Sequence, residues 1–293
     1  MRTDSSAHVI RRAGVVGSPV EHSLSPVLHE AAYEALGLAG WSYGKYECSA
    51  EDLAWMVDGL GPEWAGLSVT MPGKRAALAL ASGHTERALA VGAANTLVPR
   101  EDGGWDSDCT DVEGVTGALR AAGGFAEGSR GLLLGAGGTA AAVLAGFAEL
   151  GLTEVMLAVR EPTRASEALE TARRLGLRVR VERLDTVDLG AAAEASDVVV
   201  STLPAGAVDV GVAERLARAP CLLDVVYHPW PTPLATAVQR AGGGLGTGLD
   251  MLLHQAFGQV EQFTGHTAPR ERMRDALYGA TGEVKPLPLW WGE

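Results

Sequence analysis

A chain of 293 residues, 47% hydrophobic and 20% charged, has the length of one large domain or two of ordinary size and reads as soluble and globular. A net charge of −12 argues against a nucleic-acid or anionic-membrane partner, both of which repel a polyanion, but leaves room for a small anionic substrate that responds to local charge. Cys48, Cys109 and Cys221 are odd in number and far apart, which suits neither a disulfide framework nor a zinc site, and with no apolar leader in MRTDSSAHVIRR and no 18-residue apolar run the expectation is a cytoplasmic protein without a metal.

Ala13–Gly17 reads as a short strand running into SPVEHSLSP, a loop that carries His22, Ser23 and Ser25. Pro26 stands where a helix begins, and the helix continues to Gly37. The serines either cap a solvated helix start or line the C-terminal edge of a strand, where α/β sheets bind ligands. Ser42–Cys48 alternates weakly as a strand and Ala50–Leu60 has helical spacing. GLSVTMPGK, 66–74, repeats the opening pattern: a strand, a polar turn with Thr70, Pro72, Gly73 and Lys74, then a helix over Ala76–Ala81. Lys74 is a solvent-exposed helix-start residue or, beside apolar walls, a proton carrier of lowered pKa. AANT, 93–96, leads into a hairpin across Glu101–Gly104. Asp106, Asp108 and Asp111 follow in DSDCTD, without the glycine and closing glutamate of a calcium loop. Asp111 is placed to cap a helix over Val112–Ala122.

From about Gly128 to Gly246 strands alternate with helices, at 132–134, 155–159, 179–182, 197–202 and 221–227, the rhythm of a doubly wound parallel sheet. Leu132–Leu134 is apolar without alternation, as a strand buried on both faces requires. Gly135, Ala136, Gly137, Gly138 and Thr139 follow, then an Ala-rich helix to about Glu149. In this G-x-G-x-x-A pattern Gly135 allows a tight turn, Gly137 the approach of a pyrophosphate and Ala140 close helix–strand packing; an ordinary βα turn shares the same glycines. Val155–Val159 ends on Arg160, with Arg164 four residues on. Arginines here suit the 2′-phosphate of NADP, whereas an acid would mark NAD, and Glu161 between them opposes the phosphate. HPWPTP, 228–233, is a rigid turn; Leu249–Phe263 shows a helical apolar stripe flanked by Gln255 and Gln259, and the tail beyond Gly282 carries no assigned chemistry.

GSPVEHSLSP, SVTMPGK, AANT, the TD of DSDCTD, GAGGTA and GLDMLLHQA, in this order, resemble the shikimate dehydrogenases over nearly the whole chain. PWPTPLA followed by MLLHQAFGQVEQFTG is similar to actinobacterial members. The resemblance implies an α/β fold of two domains with a cleft between them. One is an N-terminal α/β substrate domain over 1–110, completed by C-terminal helices in 249–293; the other is a Rossmann-type doubly wound parallel-sheet NADP domain over 111–248. It implies the reversible NADPH-dependent reduction of 3-dehydroshikimate to shikimate in chorismate and aromatic amino-acid biosynthesis. By the same resemblance Ser23 and Ser25 bind the substrate carboxylate, and Thr70, Lys74, Asn95, Asp111, Tyr227 and Gln255 surround the ring. Lys74 is then the proton carrier, paired with Asp111. Gly135–Thr139, Arg160, Arg164, Val225 and Gly248 hold NADP. The partner is thus a small molecule, with a homodimer left open. The chain departs from the family's pattern at Ser68 and Cys109, where Asn is usual, and at Val159 and Glu161, which replace the Asn and Thr of NRT. These departures leave open quinate or aminoshikimate as substrate and NAD as cofactor. A non-catalytic dinucleotide-binding relative is expected to lack Lys74 or Asp111, and both are present.

Overall fold

The structure is a computed structural model and describes residues 11–282 and 285–291. The chain forms two compact units. Described residues of the first fall within Met1–Leu89, Ala93–Thr110 and Ala256–Glu283, and those of the second within Ala90–Gly92, Asp111–Gln255 and Val284–Glu293. Residues 249–255 and 285–291, expected with the substrate domain, therefore cluster with the second unit.

The first part of the chain runs β1 (Arg11–Gly17), α1 (Ser25–Ala35), β2 (Trp41–Glu47), α2 (Leu53–Asp58), β3 (Trp64–Val69), α3 (Lys74–Leu80), β4 (Gly83–His84), α4 (Glu86–Val91), β5 (Thr96–Pro99) and β6 (Trp105–Asp108). The strands form one mixed sheet in the order β2-β1-β3-β5-β6-β4. β1 lies parallel to β2 and β3, while β5 and β6 form the antiparallel hairpin expected across Glu101–Gly104. Alternate strand residues feed two cores: Val16, Leu67, Val69 and Leu97 meet Leu53 and Ala77, while Ala13, Val15 and Ala65 meet Tyr33 and Phe263. A Cβ on Gly66 would stand 2.2 Å from the Phe263 ring, so the sheet takes that ring only where a side chain is missing.

The chain continues with α5 (Asp111–Ala121), β7 (Arg130–Leu134), α6 (Gly138–Glu149), β8 (Glu154–Val159), a 3₁₀ turn (Pro162–Ala165), α7 (Ser166–Arg174), β9 (Arg178–Arg183), α8 (Leu189–Glu194), β10 (Val198–Ser201), α9 (Val210–Leu216), β11 (Cys221–Asp224), α10 (Pro233–Ala241), β12 (Gly244–Thr247), α11 (Gly248–Thr264) and α12 (Arg270–Ala280). The second sheet is wholly parallel, β12-β11-β10-β7-β8-β9, the doubly wound dinucleotide-binding order with its reversal between β7 and β10. Leu133 joins the core under α5, α6 and α7, and Leu132 and Leu134 join the one under α8, α9 and α10, so β7 is buried on both faces as its sequence requires.

Several elements differ from expectation. The strand expected over 221–227 stops at Asp224, whose carboxylate accepts Val226 N at 3.2 Å and Thr232 Oγ1 at 2.8 Å and so turns the chain into the proline-rich loop. Asp111 is the first residue of α5 instead of its cap. β12 has no apolar run to announce it, since GLGT is ordered by pairing with β11. Among the described residues no helix is long and apolar enough to cross a membrane.

Candidate active site

In the first unit β1 and β3 end side by side, with Thr70 N donating to Val16 O and Ser18 N to Met71 O, each at 2.9 Å. A Cβ on Gly17 would stand 2.3 Å from Thr70 Cγ2, so the loop after β1 and the turn after β3 pass at backbone distance. Ser23 and Ser25 close that loop at the start of α1, their hydroxyls 3.2 Å apart. Lys74 opens α3, and its carbonyl accepts Ala94 N at 2.9 Å, while Val69 N donates to Asn95 O at 2.7 Å. The edge of one sheet thus collects Ser23, Ser25, Thr70, Lys74 and Asn95.

Behind that edge runs a buried polar chain that the sequence did not disclose. Tyr43 donates to Ser68 Oγ at 2.6 Å and Ser68 to Gln259 Oε1 at 2.8 Å. Gln259 Nε2 donates to Asn95 O at 3.0 Å and Thr96 Oγ1 at 3.1 Å. Asn95 in turn accepts Thr110 N at 2.8 Å and donates to Thr110 Oγ1 at 2.9 Å. Burial pushes the Tyr43 phenol well above its usual range, against hydrogen bonds to Ser68 and Ser25 that pull it down, so it remains a neutral hydroxyl. His29 stacks on Tyr43 at 4.0 Å, and its burial lowers it to about 3 despite the Gln259 contact, which keeps it neutral at pH 7. The single outward signal was Gln259 itself, four residues beyond Gln255 and so on the same helix face. Ser68, the departure from Asn, is therefore spanned by Gln259. Cys109 is buried with its N–H on Asp108 Oδ1 at 2.7 Å, and the amide of Asn95 holds the following Thr110.

Asp108 is the second buried hub of this unit. It accepts Thr85 Oγ1 at 2.7 Å, Arg87 Nε at 2.6 Å and Gln262 Nε2 at 2.8 Å, besides the Cys109 N–H. Burial by itself would raise the carboxyl, but Arg87, Thr85 and the backbone donor outweigh it and hold it below its usual range.

In the second unit Gly135 follows β7 at φ +95°, where a Cβ would stand 2.6 Å from Thr202 Oγ1, so both conformation and space demand glycine. Gly137 and Gly138 are exposed, and a Cβ on either would meet nothing within 4 Å. α6 starts there with no side-chain cap on its N–H groups, while Ala140 is fully buried against the sheet. Uncapped N–H groups beside open space at the strand-order reversal fit the pyrophosphate of a dinucleotide. Arg160 and Arg164 are exposed after β8, without an ion pair among the described residues. The Glu161 carboxylate accepts Thr163 Oγ1 at 3.2 Å within its own turn.

The remaining residues come together around α11. A Cβ on Gly248 would stand 2.1 Å from Val225 O and 2.7 Å from the Tyr227 ring, which places these three residues in contact. Burial pushes the Tyr227 phenol up, so it stays a neutral hydroxyl at pH 7. α5 meets α11 through glycines: a Cβ on Gly114 would stand 2.7 Å from Met251 O and 3.0 Å from Gln255 Cβ. Asp111, one turn before Gly114, and Gln255 are thereby carried on adjoining helices. Lys74 belongs to the first unit and Asp111 to the second.

The chain matches the family described as "Shikimate dehydrogenase substrate binding domain" over residues 15–97 and the one described as "Shikimate 5'-dehydrogenase C-terminal domain" over 248–278. It is 36% identical over 276 residues to shikimate dehydrogenase (NADP(+)) of Synechococcus sp. (strain JA-3-3Ab), covering 90% of this chain and 91% of that protein. With shikimate dehydrogenase (NADP(+)) of Methanocella arvoryzae it shares 38% identity over 275 residues, 90% of this chain and 98% of the other. Among solved structures, Mycobacterium tuberculosis shikimate dehydrogenase aligns with a TM-score of 0.85 and 51% identity, covering 92% of this chain and 99% of that one. On that identity over nearly the full length of both partners, the chain belongs to the shikimate dehydrogenase family.

Proposed function

We propose that this protein catalyses the reversible, NADPH-dependent reduction of 3-dehydroshikimate to shikimate, a step toward chorismate and the aromatic amino acids. The observation that carries the reading is the near full-length identity to relatives named shikimate dehydrogenase (NADP(+)), together with the presence of each residue that the resemblance assigns to the site. When bound, NADP supplies the hydride acceptor in the oxidative direction and the donor in the reverse. Ser23 and Ser25 orient the substrate carboxylate without adding net charge, and Thr70, Asn95, Asp111, Tyr227 and Gln255 hold the ring hydroxyls. As the carbinol carbon gives up hydride, its hydroxyl proton passes to the Lys74–Asp111 pair, which returns it in the reductive direction. Gly135–Thr139 and the uncapped N–H groups of α6 receive the pyrophosphate, Arg160 and Arg164 the 2′-phosphate, and Val225 and Gly248 complete the cofactor site. Three buried cysteines with no disulfide among the described residues suit the reducing cytoplasm, and a homodimer completes the reading.

The test is a set of initial rates with shikimate or quinate, each against NADP⁺ and NAD⁺. Turnover of shikimate with NADP⁺, abolished by Lys74→Ala, supports the reading. Preference for quinate or NAD⁺ would assign that choice to Cys109 and Glu161, and no turnover in any combination refutes it. Light scattering decides the homodimer.

A further inference from the structure

Residues 285–291 take no part in the chemistry above, yet they are bound closely to the second unit. Lys285 Nζ donates to Asp250 Oδ2 at 2.6 Å and reaches Leu245 O at 3.4 Å. The Asp250 side chain is fully buried and that of Lys285 only 12% exposed. The same carboxylate oxygen accepts Thr247 N at 2.8 Å and Thr247 Oγ1 at 2.7 Å, while Asp250 Oδ1 has no hydrogen-bond partner. Lys285 is thus the cation that balances a buried carboxylate at the turn from β12 into α11. Further along, Leu287 is buried, and Trp290 N donates to His254 Nε2 at 3.3 Å. The opposite ring nitrogen, Nδ1, lies 2.8 Å from Asp250 O, so the proton sits on Nδ1 and Nε2 is the acceptor. The Arg120 guanidinium stands 5.1 Å from the centre of the Trp290 ring. Three separate contacts therefore fasten this segment to β12, to α11 and to α5.

These are the elements that carry Gly248, Gln255 and Asp111. We propose that the C-terminal segment is a positioning strap for the cofactor side of the second unit, with Lys285 as its principal residue. Asp250 lies two residues beyond Gly248, whose backbone sits against Val225 O and the Tyr227 ring with no room to spare. Without Lys285 the buried carboxylate loses its counter-charge, and the turn 247–250 relaxes toward water, taking Gly248 away from Val225 and Tyr227. The inference rests on the assignment of Val225 and Gly248 to NADP.

The experiment compares wild type, Lys285→Met, Lys285→Arg and Trp290→Ala in the full chain, measuring kcat, KM for both substrates and NADP⁺ affinity by calorimetry, with thermal unfolding alongside. The expected result for Lys285→Met is a KM and Kd for NADP⁺ raised about tenfold or more, with kcat within about threefold and Lys285→Arg close to wild type, because sub-ångström displacement of a binding group is felt at that scale. A lowered unfolding temperature with NADP⁺ KM and Kd within about twofold of wild type would overturn the strap as a positioning element. If Lys285→Met does not fold, Trp290→Ala decides by the same readout. Wild-type protein that fails to bind NADP⁺ would instead refute the cofactor assignment, a different failure from that of the strap.

Discussion

Asp108→Asn tests whether the buried hub of the first unit works as an ion pair. The amide keeps the shape of the carboxylate but removes its charge and turns one acceptor into a donor facing Arg87 and Gln262. The two side chains are 5% and 25% exposed, Asp108 the more deeply buried. Removing one partner of a buried pair costs about 3–5 kcal/mol. Arg87's partial access to water lowers that to about 2–3 kcal/mol. The folded state holds Asp108 below its usual carboxylate range. Its stabilising effect is therefore fully present above the unfolded value of about 3.9 and is lost as pH falls through the folded value. The gap between wild type and variant should be full at pH 7 and begin to narrow as pH falls below about 4. Urea unfolding at pH 7, 5 and 3.5, followed by tryptophan fluorescence with Trp64 and Trp105 in the same unit, measures it. A difference under about 0.5 kcal/mol at pH 7, or one of equal size at pH 3.5, would refute the ion-pair account.

Tyr43→Phe removes the hydroxyl between Ser25 and Ser68 and should cost about 1–3 kcal/mol in urea unfolding. It should also raise the KM for shikimate in initial-rate assays while leaving the KM for NADP⁺ unchanged. Gly135→Ala forces a Cβ onto Thr202 at φ +95°. The expected loss is about 1–3 kcal/mol of stability, together with weaker NADP⁺ binding by calorimetry. Arg160→Ser should lower NADP⁺ affinity roughly 10–100-fold and leave NAD⁺ affinity unchanged, since only the 2′-phosphate contact is lost.

The doubly wound sheet was legible because its strands carry their own pattern. Leu132–Leu134 and Val198–Val200 are apolar on consecutive residues, which only a strand covered on both faces explains. The hairpin of β5 and β6 was legible from its turn, and the dinucleotide turn from glycines placed between a strand and a helix. β12 was not legible: Gly244–Thr247 has no hydrophobic run, and its conformation comes from neighbours distant in sequence. The chain Tyr43–Ser68–Gln259–Asn95 escaped for the same reason, since Gln259 and Asn95 lie 164 residues apart and nothing local to either points to the other. Lys285 was equally silent, because a lysine near a terminus signals nothing until the buried carboxylate it faces is known.

The way α11 and α12 are shared out has a consequence for synthesis on the ribosome. Phe263 belongs to the core of the first unit, and His29 contacts Gln259 across 230 residues of sequence. Asp111 to Gln255, the greater part of the other unit, is inserted within the first. While the N-terminal strands emerge, the ring that fills the gap at Gly66 has not yet been made, so the first unit cannot close its core before the inserted segment has been synthesised. Joining ends across a flexible loop of that length costs about 5 kcal/mol in chain entropy. Once the inserted unit has folded around its own parallel sheet, most of that loop is no longer flexible, and the last helices return over a far shorter effective distance. The middle of the chain should therefore become resistant to protease on the nascent chain before the beginning does, an inversion of the usual N-terminal-first order.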